Sequence, residues 1–436
     1  MELNDQFNSG ALQKILKDQQ LPPFIPVRQQ LSVQRVETAD LPMKIDASLA
    51  DVINRIRPDM RIGITVGSRG IDQLVPTLRH LVSSVKSKGG DPYLIPCMGS
   101  HGFTAAGQKM ILEGLGVTAT SVGAPIVSQD NLVLLKGDAE SNDAWVDRFL
   151  LECDGIIVLN RIKPHTAFRG PVESGLQKMM AVGMGKQRGA AACHKNGFAD
   201  MANTIIRTAK TILATHKILF GFAMVENANG ELALVEAIPA EKICQREPDL
   251  LLIAKEMAPS LPFDTIDLLI VDEMGKNISG SGMDTNVIGR YPTQGMSGGP
   301  KIDQLVVLSL TDASEGSGHG MGFADFISAR LFRSLNLDST YPNGLTNRTS
   351  APAKIPPIMP NDKMAIQAGL RCCTTKGLSE LRAVRIKNTH DLTEFYVSPA
   401  LLKQSKRPLA VLDLPQKLSF DTNGTIHDEW YKWERK

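Results

Sequence analysis

The sequence has no long apolar run and no block of like charges, and each absence excludes a class of protein. Its apolar segments, such as residues 218–225, are far shorter than the roughly 20 residues of a membrane-spanning helix. Lys and Arg total 48 against 46 Asp and Glu, so the formal charge of +2 argues against a nucleic-acid-binding face. The first residues, MELNDQFNSG, lack a signal-peptide pattern. We therefore expect a cytoplasmic protein without nucleic-acid or membrane partners.

The cysteines and glycines form no familiar metal, redox or nucleotide motif. The six cysteines are scattered and include no C-x-x-C pair, which argues against a zinc ribbon or a thioredoxin-type centre and favours reduced thiols. Residues 183–187 (GMGKQ) lack the earlier glycine and the following Ser or Thr of a phosphate-binding Walker loop. The sequence also lacks an H-E-x-x-H zinc motif and a G-x-S-x-G nucleophile elbow.

Strand-like and helix-like segments alternate along the first half of the chain. Residues 61–66, 92–98 and 155–160 read as buried strands, and helical patterns follow the first two of them. Successive strand–helix units predict parallel strands with helices packed on their faces. A helical pattern also covers residues 240–257, where Pro248 should break or kink it. The sequence therefore predicts an α/β fold with mostly parallel sheets.

The length of 436 residues suits two domains. Residues 259–262 form a plausible linker, and a new strand series starts at residues 266–271 and continues at 304–310. We expect an N-terminal catalytic domain over residues 1–260 and a C-terminal α/β domain over 261–436, with the active site in the cleft between them. A short terminal segment could return to the first domain, and the chain could form a homo-oligomer.

Polar loops follow three of the predicted strands, and they carry Arg69, His101 and His165. Ligands of open α/β sheets bind beyond the carboxyl ends of the strands, where such loops gather. A loop histidine by itself is usually only a polar surface residue, and a turn arginine is usually only a surface charge. The recurrence of these residue types at the same kind of position is what points to a site.

Four residues stand in an order that resembles the nickel-dependent lactate racemase family. Gly99-Ser100-His101 and Pro164-His165 follow strands, Lys178 lies in a glycine-punctuated segment, and His194 comes after it. Their separations of 64, 13 and 16 residues are close to those of the family. Arg69 matches an arginine in the family's first strand–helix loop. The resemblance covers about residues 60–200 and is thin after about residue 260.

The resemblance implies a racemase or epimerase of a small 2-hydroxy acid. It implies that Lys178 is covalently joined to a nickel-pincer nucleotide, a pyridinium mononucleotide whose sulfur groups hold nickel, and that His194 completes the metal's coordination. His101 and His165 would then alternate as general acid and base, and Arg69 would bind a carboxylate or the cofactor phosphate. It also implies that pincer-cofactor synthesis proteins are partners.

The residue types suit this chemistry on physical grounds. Removing the α-proton of a 2-hydroxy acid would leave a carbanion beside a carboxylate, whereas removing hydride and the hydroxyl proton gives a 2-keto acid. Hydride must be returned to either face, so a base is needed on each side, and histidine titrates near neutrality. Imidazole and sulfur ligands suit nickel, and an arginine suits an anion.

Two features of the sequence leave the substrate and some contacts open. Residues 168–177 replace the family's glycine-serine-glycine run and are about three residues longer, so which 2-hydroxy acid binds stays open. Lys276, Arg290 and Lys301 are candidates for the family's second-domain contacts, with His319 as a weaker addition. Two other hypotheses stay open: a metalloenzyme for another hydroxy-acid reaction, and a cofactor-free ligand-binding or regulatory protein.

Overall fold

The computed structural model describes residues 7, 10–31, 34–68, 70–195, 197–346, 349–375 and 377–427. The chain divides into two compact units. One, here called the first unit, comprises Ser32–Ala258, and the other, the second unit, comprises Met1–Leu31 and Pro259–Lys436. None of the helices described in these ranges combines the length and hydrophobicity that a bilayer crossing requires.

The strands in chain order are β1 Ile25–Gln29, β2 Arg61–Val66, β3 Asp91–Pro96, β4 Leu132–Leu135, β5 Ala144–Asp147, β6 Gly155–Arg161, β7 Ile218–Glu226, β8 Leu232–Pro239, β9 Thr265–Met274, β10 Lys301–Leu310, β11 Phe326–Ser328, β12 Ile358–Met359, β13 Ala383–Ile386, β14 Glu394–Val397 and β15 Leu409–Val411. The α-helices are α1 Ala11–Leu16, α2 Leu41–Leu49, α3 Leu74–Ser87, α4 Ala105–Gly114, α5 Ala119–Val122, α6 Arg148–Glu152, α7 Leu176–Lys178, α8 Lys186–His194, α9 Met201–Leu213, α10 Ile243–Met257, α11 Thr285–Ile288, α12 Ala329–Arg333, α13 Leu337–Thr346, α14 Asp362–Cys372 and α15 Pro399–Leu402. A π-helical turn, Met179–Gly183, joins α7 to α8.

The first unit is built on a five-stranded sheet in the order β3-β2-β6-β7-β8. Its strands are parallel except for the antiparallel β7–β8 pair. Hydrophobic side chains are buried on both faces, with one cluster built around α2 and α3 and the other around α9 and α10. Because β3, β2 and β6 are parallel neighbours, the loops that follow them lie at the same edge of the sheet.

The second unit contains an eight-stranded sheet in the order β12-β11-β10-β9-β13-β14-β1-β15. The strands from β12 to β13 are parallel, and β14, β1 and β15 add antiparallel pairs. Both units are therefore α/β, and most of their strand pairs are parallel, as the sequence predicts.

The positions of the elements agree with the sequence analysis in most places. The predicted strands at 61–66, 92–98 and 155–160 are β2, β3 and β6, because each is an apolar run whose side chains are mostly buried. Two features differ. Helix α10 runs through Pro248 without ending there. Residues 1–31 belong to the second unit instead of the first, because β1 pairs with β14 and β15, and the first unit ends at Ala258.

Candidate active site

The candidate residues of the first unit lie in loops at the carboxyl edge of its parallel strands and in the helices beside them. Ser68 follows β2, His101 follows β3, and His165 follows β6. These are three neighbouring strands in the sheet. This is the edge at which ligands of open α/β sheets bind.

His101 is an exposed side chain whose imidazole is held by a serine of the neighbouring loop. Ser68 Oγ lies 2.5 Å from His101 Nδ1. The main chain of the loop is held as well, because the buried amide of Gln108 donates to the carbonyls of Gly99 at 3.2 Å and of His101 at 3.1 Å. Since a hydroxyl can donate or accept, the Ser68 contact is compatible with either neutral tautomer of His101.

His165 lies in a turn that a buried carboxylate holds in place. Its backbone N–H donates to Glu173 Oε2 at 2.6 Å, and Arg169 Nη1 donates to its carbonyl at 2.6 Å. The Glu173 side chain is fully buried and forms ion pairs with Arg169 at 3.5 Å and with Lys255 at 2.7 Å. A buried carboxylate needs such partners to offset its lost hydration.

The hydrogen bond to the His165 ring fixes its tautomer. The backbone N–H of Ala167 donates to His165 Nδ1 at 3.0 Å, so in the neutral ring the proton is on Nε2. Burial lowers the pKa of His165 well below its ordinary 6.5, and the positive charges of Lys178, Lys163 and Arg169 lower it further. His165 is therefore neutral near pH 7 and offers an N–H from Nε2.

Lys178 ends the short helix α7 and directly precedes the π-helical turn. Such turns are frequent at functional sites. Its Nζ lies 5.8 Å from the centre of the buried Phe168 ring. The backbone N–H of Gln177, one residue earlier, donates to the buried carboxyl of Glu247 at 3.0 Å. The turn that carries Lys178 is thus anchored from helix α10.

His194 is the last residue of α8. Its Nδ1 donates a hydrogen bond, whereas that of His165 accepts one. His194 Nδ1 lies 2.7 Å from the carbonyl oxygen of Ala190, so Nδ1 carries the proton and Nε2 keeps its lone pair. Burial lowers the pKa of His194, and Lys178 lowers it further, whereas the bond to Ala190 raises it. A histidine that donates one N–H to a carbonyl and presents the other nitrogen is the usual arrangement of a metal ligand.

Two phenylalanine rings link three of the four predicted residues. The His165 ring lies 4.3 Å from Phe168 and 6.3 Å from Phe198, and His194 meets Phe198 edge-on at 5.3 Å. Phe168 and Phe198 are nearly parallel, with centres 6.4 Å apart. His165, Lys178 and His194 thus share one cluster, while His101 lies in the loop after β3 beside Ser68. Their assigned roles stay predictions.

The remaining sequence candidates are distributed as follows. Arg69 lies outside the described residues. In the second unit, Lys276 Nζ donates to the carbonyl of Gly280 at 3.0 Å. Arg290 forms an ion pair with Asp325 at 2.6 Å, and Lys301 is the exposed first residue of β10.

His319 of the second unit is buried. Burial lowers its pKa to about 4, and Lys276 contributes to the same direction. Within the ranges that the structure describes, no partner accepts from or donates to its Nδ1. The roles of the second-unit residues stay predictions.

Several residues that hold the site together are not among those that the sequence predicts. Ser68, Gln108, Glu173, Glu247 and Lys186 all contact the loops or helices that carry the predicted residues. Polar residues of this kind carry no local signal, because their burial depends on segments far away in the chain. Lys186 alone has a weak signal, because it directly follows Gly185 and is the first residue of α8.

No group of three His, Cys, Asp or Glu side chains that could hold a metal ion occurs among the residues described. His194 could supply one ligand nitrogen to a metal ion, and Lys178, beside the Phe168 ring, could hold a cofactor.

No protein-family model and no curated protein sequence matches this chain. Among solved structures, it is similar to the lactate racemase apoprotein from Thermoanaerobacterium thermosaccharolyticum. The two chains are 15% identical, the match covers 65% of this chain and 68% of that chain, and the TM-score is 0.46. The α/β class follows from the strands and helices described above, and the function has to be argued from the site.

Proposed function

We propose that this chain is a racemase or epimerase of a small 2-hydroxy acid that works with a nickel-pincer nucleotide attached to Lys178. The observation that carries the proposal is the hydrogen bond of His194 to the Ala190 carbonyl, 2.7 Å long, in the same aromatic cluster as Lys178 and His165. It leaves Nε2 of His194 as a ligand nitrogen in the cluster that contains the proposed tether. The order and spacing of the four residues in the sequence support the same assignment.

The residues of the cluster fit the proposed cofactor. Lys178 would hold it, and His194 would supply an imidazole ligand of the kind that nickel binds well. The Phe168 ring beside Lys178 Nζ offers a face to a planar cation, an interaction favoured by the ring quadrupole. When bound, the cofactor supplies an acceptor for the substrate hydride.

The chain's own residues would then move the hydroxyl proton. His165 is neutral and presents N–H from Nε2, so it would donate a hydrogen bond to a substrate oxygen. His101, whose tautomer the Ser68 contact leaves free, would accept the proton on the other side. A hydrogen-bond donor and a proton acceptor at the substrate oxygens are what acid–base catalysis requires. Arg69 is proposed to bind the substrate carboxylate or the cofactor phosphate.

The proposal is tested by producing the chain together with the pincer-synthesis proteins. Intact-mass measurement should show a covalent increment that Lys178→Ala abolishes, and metal analysis should show nickel. Chiral chromatography should then show interconversion of at least one member of a panel of 2-hydroxy acids. A chain without increment, nickel or interconversion refutes the proposal. Binding of a 2-hydroxy acid by such a chain would favour the cofactor-free binding protein, and its conversion to another product would favour the other metalloenzyme.

A further inference from the structure

Lys186 is a buried lysine at the start of helix α8. Its side chain is 4% exposed, and its backbone is left-handed, with φ of 47°, a conformation that residues other than glycine seldom adopt. Its Nζ lies 3.2 Å from Oδ2 of the fully buried Asp147. A buried ammonium is retained only when it is paired and hydrogen-bonded. The side chain therefore points into the unit and is engaged there.

The same ammonium contacts the amide of Gln108, which is also buried. Lys186 Nζ donates to Gln108 Oε1 at 3.2 Å. An ammonium can only donate, so it requires the oxygen side of the amide and turns the NH₂ group away. That NH₂ group donates to the carbonyls of Gly99 and His101. The orientation of the amide thus connects a buried charge to the loop that carries His101.

The loop also packs directly on the helix that Lys186 begins. A Cβ at Gly99, which has φ of +59°, would lie 3.1 Å from Val182 and 3.6 Å from Ala190. Helix α8 runs from Lys186 to His194. One end of α8 therefore contacts the His101 loop through Lys186 and Gln108, and its other end carries the proposed metal ligand.

We infer that Lys186 and Gln108 are positioning residues that set the place of His101 relative to helix α8. Lys186 acts through the amide of Gln108 and touches no reacting group. That this placement matters for catalysis rests on the proposed function. The structural part of the inference, that Gln108 and Lys186 hold the His101 loop, does not. The Lys186 Nζ is engaged by Asp147 and Gln108, so Lys178 remains the proposed tether.

The structural part is tested by hydrogen exchange on the full chain. Gln108→Met keeps the length of the side chain but removes both donors, so amide exchange in residues 99–104 should become about tenfold faster, as expected for the loss of such hydrogen bonds. Exchange in α2 and α3 should not change. An unchanged loop, or equal acceleration throughout the first unit, would overturn the inference.

The second unit offers a matched control in Gln29. This glutamine is equally buried, donates to the carbonyls of Leu392 and Ser260, and accepts from Arg407. Gln29→Met should leave exchange in residues 99–104 unchanged. If it accelerates that loop as much as Gln108→Met does, the effect is general destabilisation and the inference is wrong.

Activity supplies the second readout, in protein produced with the cofactor machinery. Gln108→Met should lower kcat at least tenfold while the Lys178 increment and the nickel content stay unchanged, since neither Lys178 nor His194 depends on that amide. Lys186→Met should do the same, and Lys186→Arg, which keeps the cation, should recover part of the loss. Loss of the increment or of nickel in Gln108→Met would contradict a positioning role. If wild-type protein itself shows no interconversion, the proposed function fails, and the exchange result still decides the structural inference.

Discussion

Replacement of Glu247 by glutamine measures how much this buried carboxyl, near the proposed tether, lowers the free energy of unfolding when it is ionised. Glu247 is 1% exposed, and its Oε2 accepts from the N–H of Gln177 in helix α7. A Cβ at Gly175 would lie 2.0 Å from its Oε1, so only glycine leaves room for the carboxyl. Burial raises the pKa of Glu247 to about 7, although the bonds from the Gln177 and Leu176 main chain act in the opposite direction.

The raised pKa defines both the sign and the size of the expected effect. Between the ordinary value of 4.5 and about 7, the folded chain holds a proton on Glu247 that the unfolded chain has lost. The contribution of this group to the free energy of unfolding therefore falls as pH rises through that window. The difference in pKa corresponds to a total of about 3 kcal/mol, at 1.36 kcal/mol for each pH unit.

Glu247→Gln should remove this pH dependence, because the amide does not titrate. Urea unfolding from pH 4.5 to 8 should show the variant about 1 kcal/mol less stable than the wild type at the acidic end, where only the hydrogen bonding of the new NH₂ group separates them. At pH 8 the variant should be more stable than the wild type by about 2–3 kcal/mol, after about 1 kcal/mol is allowed for imperfect hydrogen bonding of the new NH₂ group. His165 contributes the opposite dependence, since its lowered pKa costs stability below pH 6.5, but it is common to both proteins and cancels in the difference.

The matched control is Glu256→Gln, an exposed position on the same helix α10. It should leave the pH profile of stability as in the wild type. The reasoning is refuted if Glu247→Gln and the wild type show the same profile between pH 4.5 and 8, or if the variant is less stable at pH 8 by more than it is at pH 4.5. Either result would mean that Glu247 is ionised in the folded chain with little cost.

Three further predictions concern the proposed site. Lys178→Ala should lose the covalent mass increment and nearly all nickel, whereas His194→Ala should keep the increment and bind nickel more weakly, as metal analysis of the two preparations will show. His101→Ala and His165→Ala should each lower kcat for both directions of interconversion by about 10²-fold or more, and full activity of either variant would remove that histidine from the mechanism. Glu173→Gln should lower the free energy of unfolding by about 1–3 kcal/mol in urea titration, because Lys255 then loses a buried partner; an unchanged value would show that the ion pair contributes nothing.

The α/β fold could be predicted from the sequence because its strands are short, apolar and separated by helical patterns. Strands β2 and β6 are buried on both faces, so their sequences are nearly continuous apolar runs. The partner of β1 could not be predicted, because β1 pairs with strands that begin more than 350 residues later. Local patterns carry no information about such distant antiparallel pairing, and residues 1–31 were therefore assigned to the other unit.

The candidate site also has a part that could be predicted from the sequence and a part that could not. The spacing of His165, Lys178 and His194 was visible in the sequence, and the three side chains share one cluster around Phe168 and Phe198. The second-unit candidates were chosen only by residue type in a glycine-rich loop. Arg290 shows the weakness of that criterion, because its guanidinium is engaged by Asp325 and by the carbonyl of Phe323.

The proposed roles of His165 and His194 depend on the hydrogen-bond partner of each Nδ1, which no sequence pattern encodes. His165 accepts at Nδ1 from a backbone N–H, and His194 donates from Nδ1 to a backbone carbonyl, so their Nε2 atoms present a proton and a lone pair respectively. Exchanging the two roles would require His194 to break its bond to Ala190 and His165 to break its bond to Ala167. The main chain around each ring therefore favours the proposed roles, with His194 as a ligand and His165 as a hydrogen-bond donor. The residue type alone would allow either assignment.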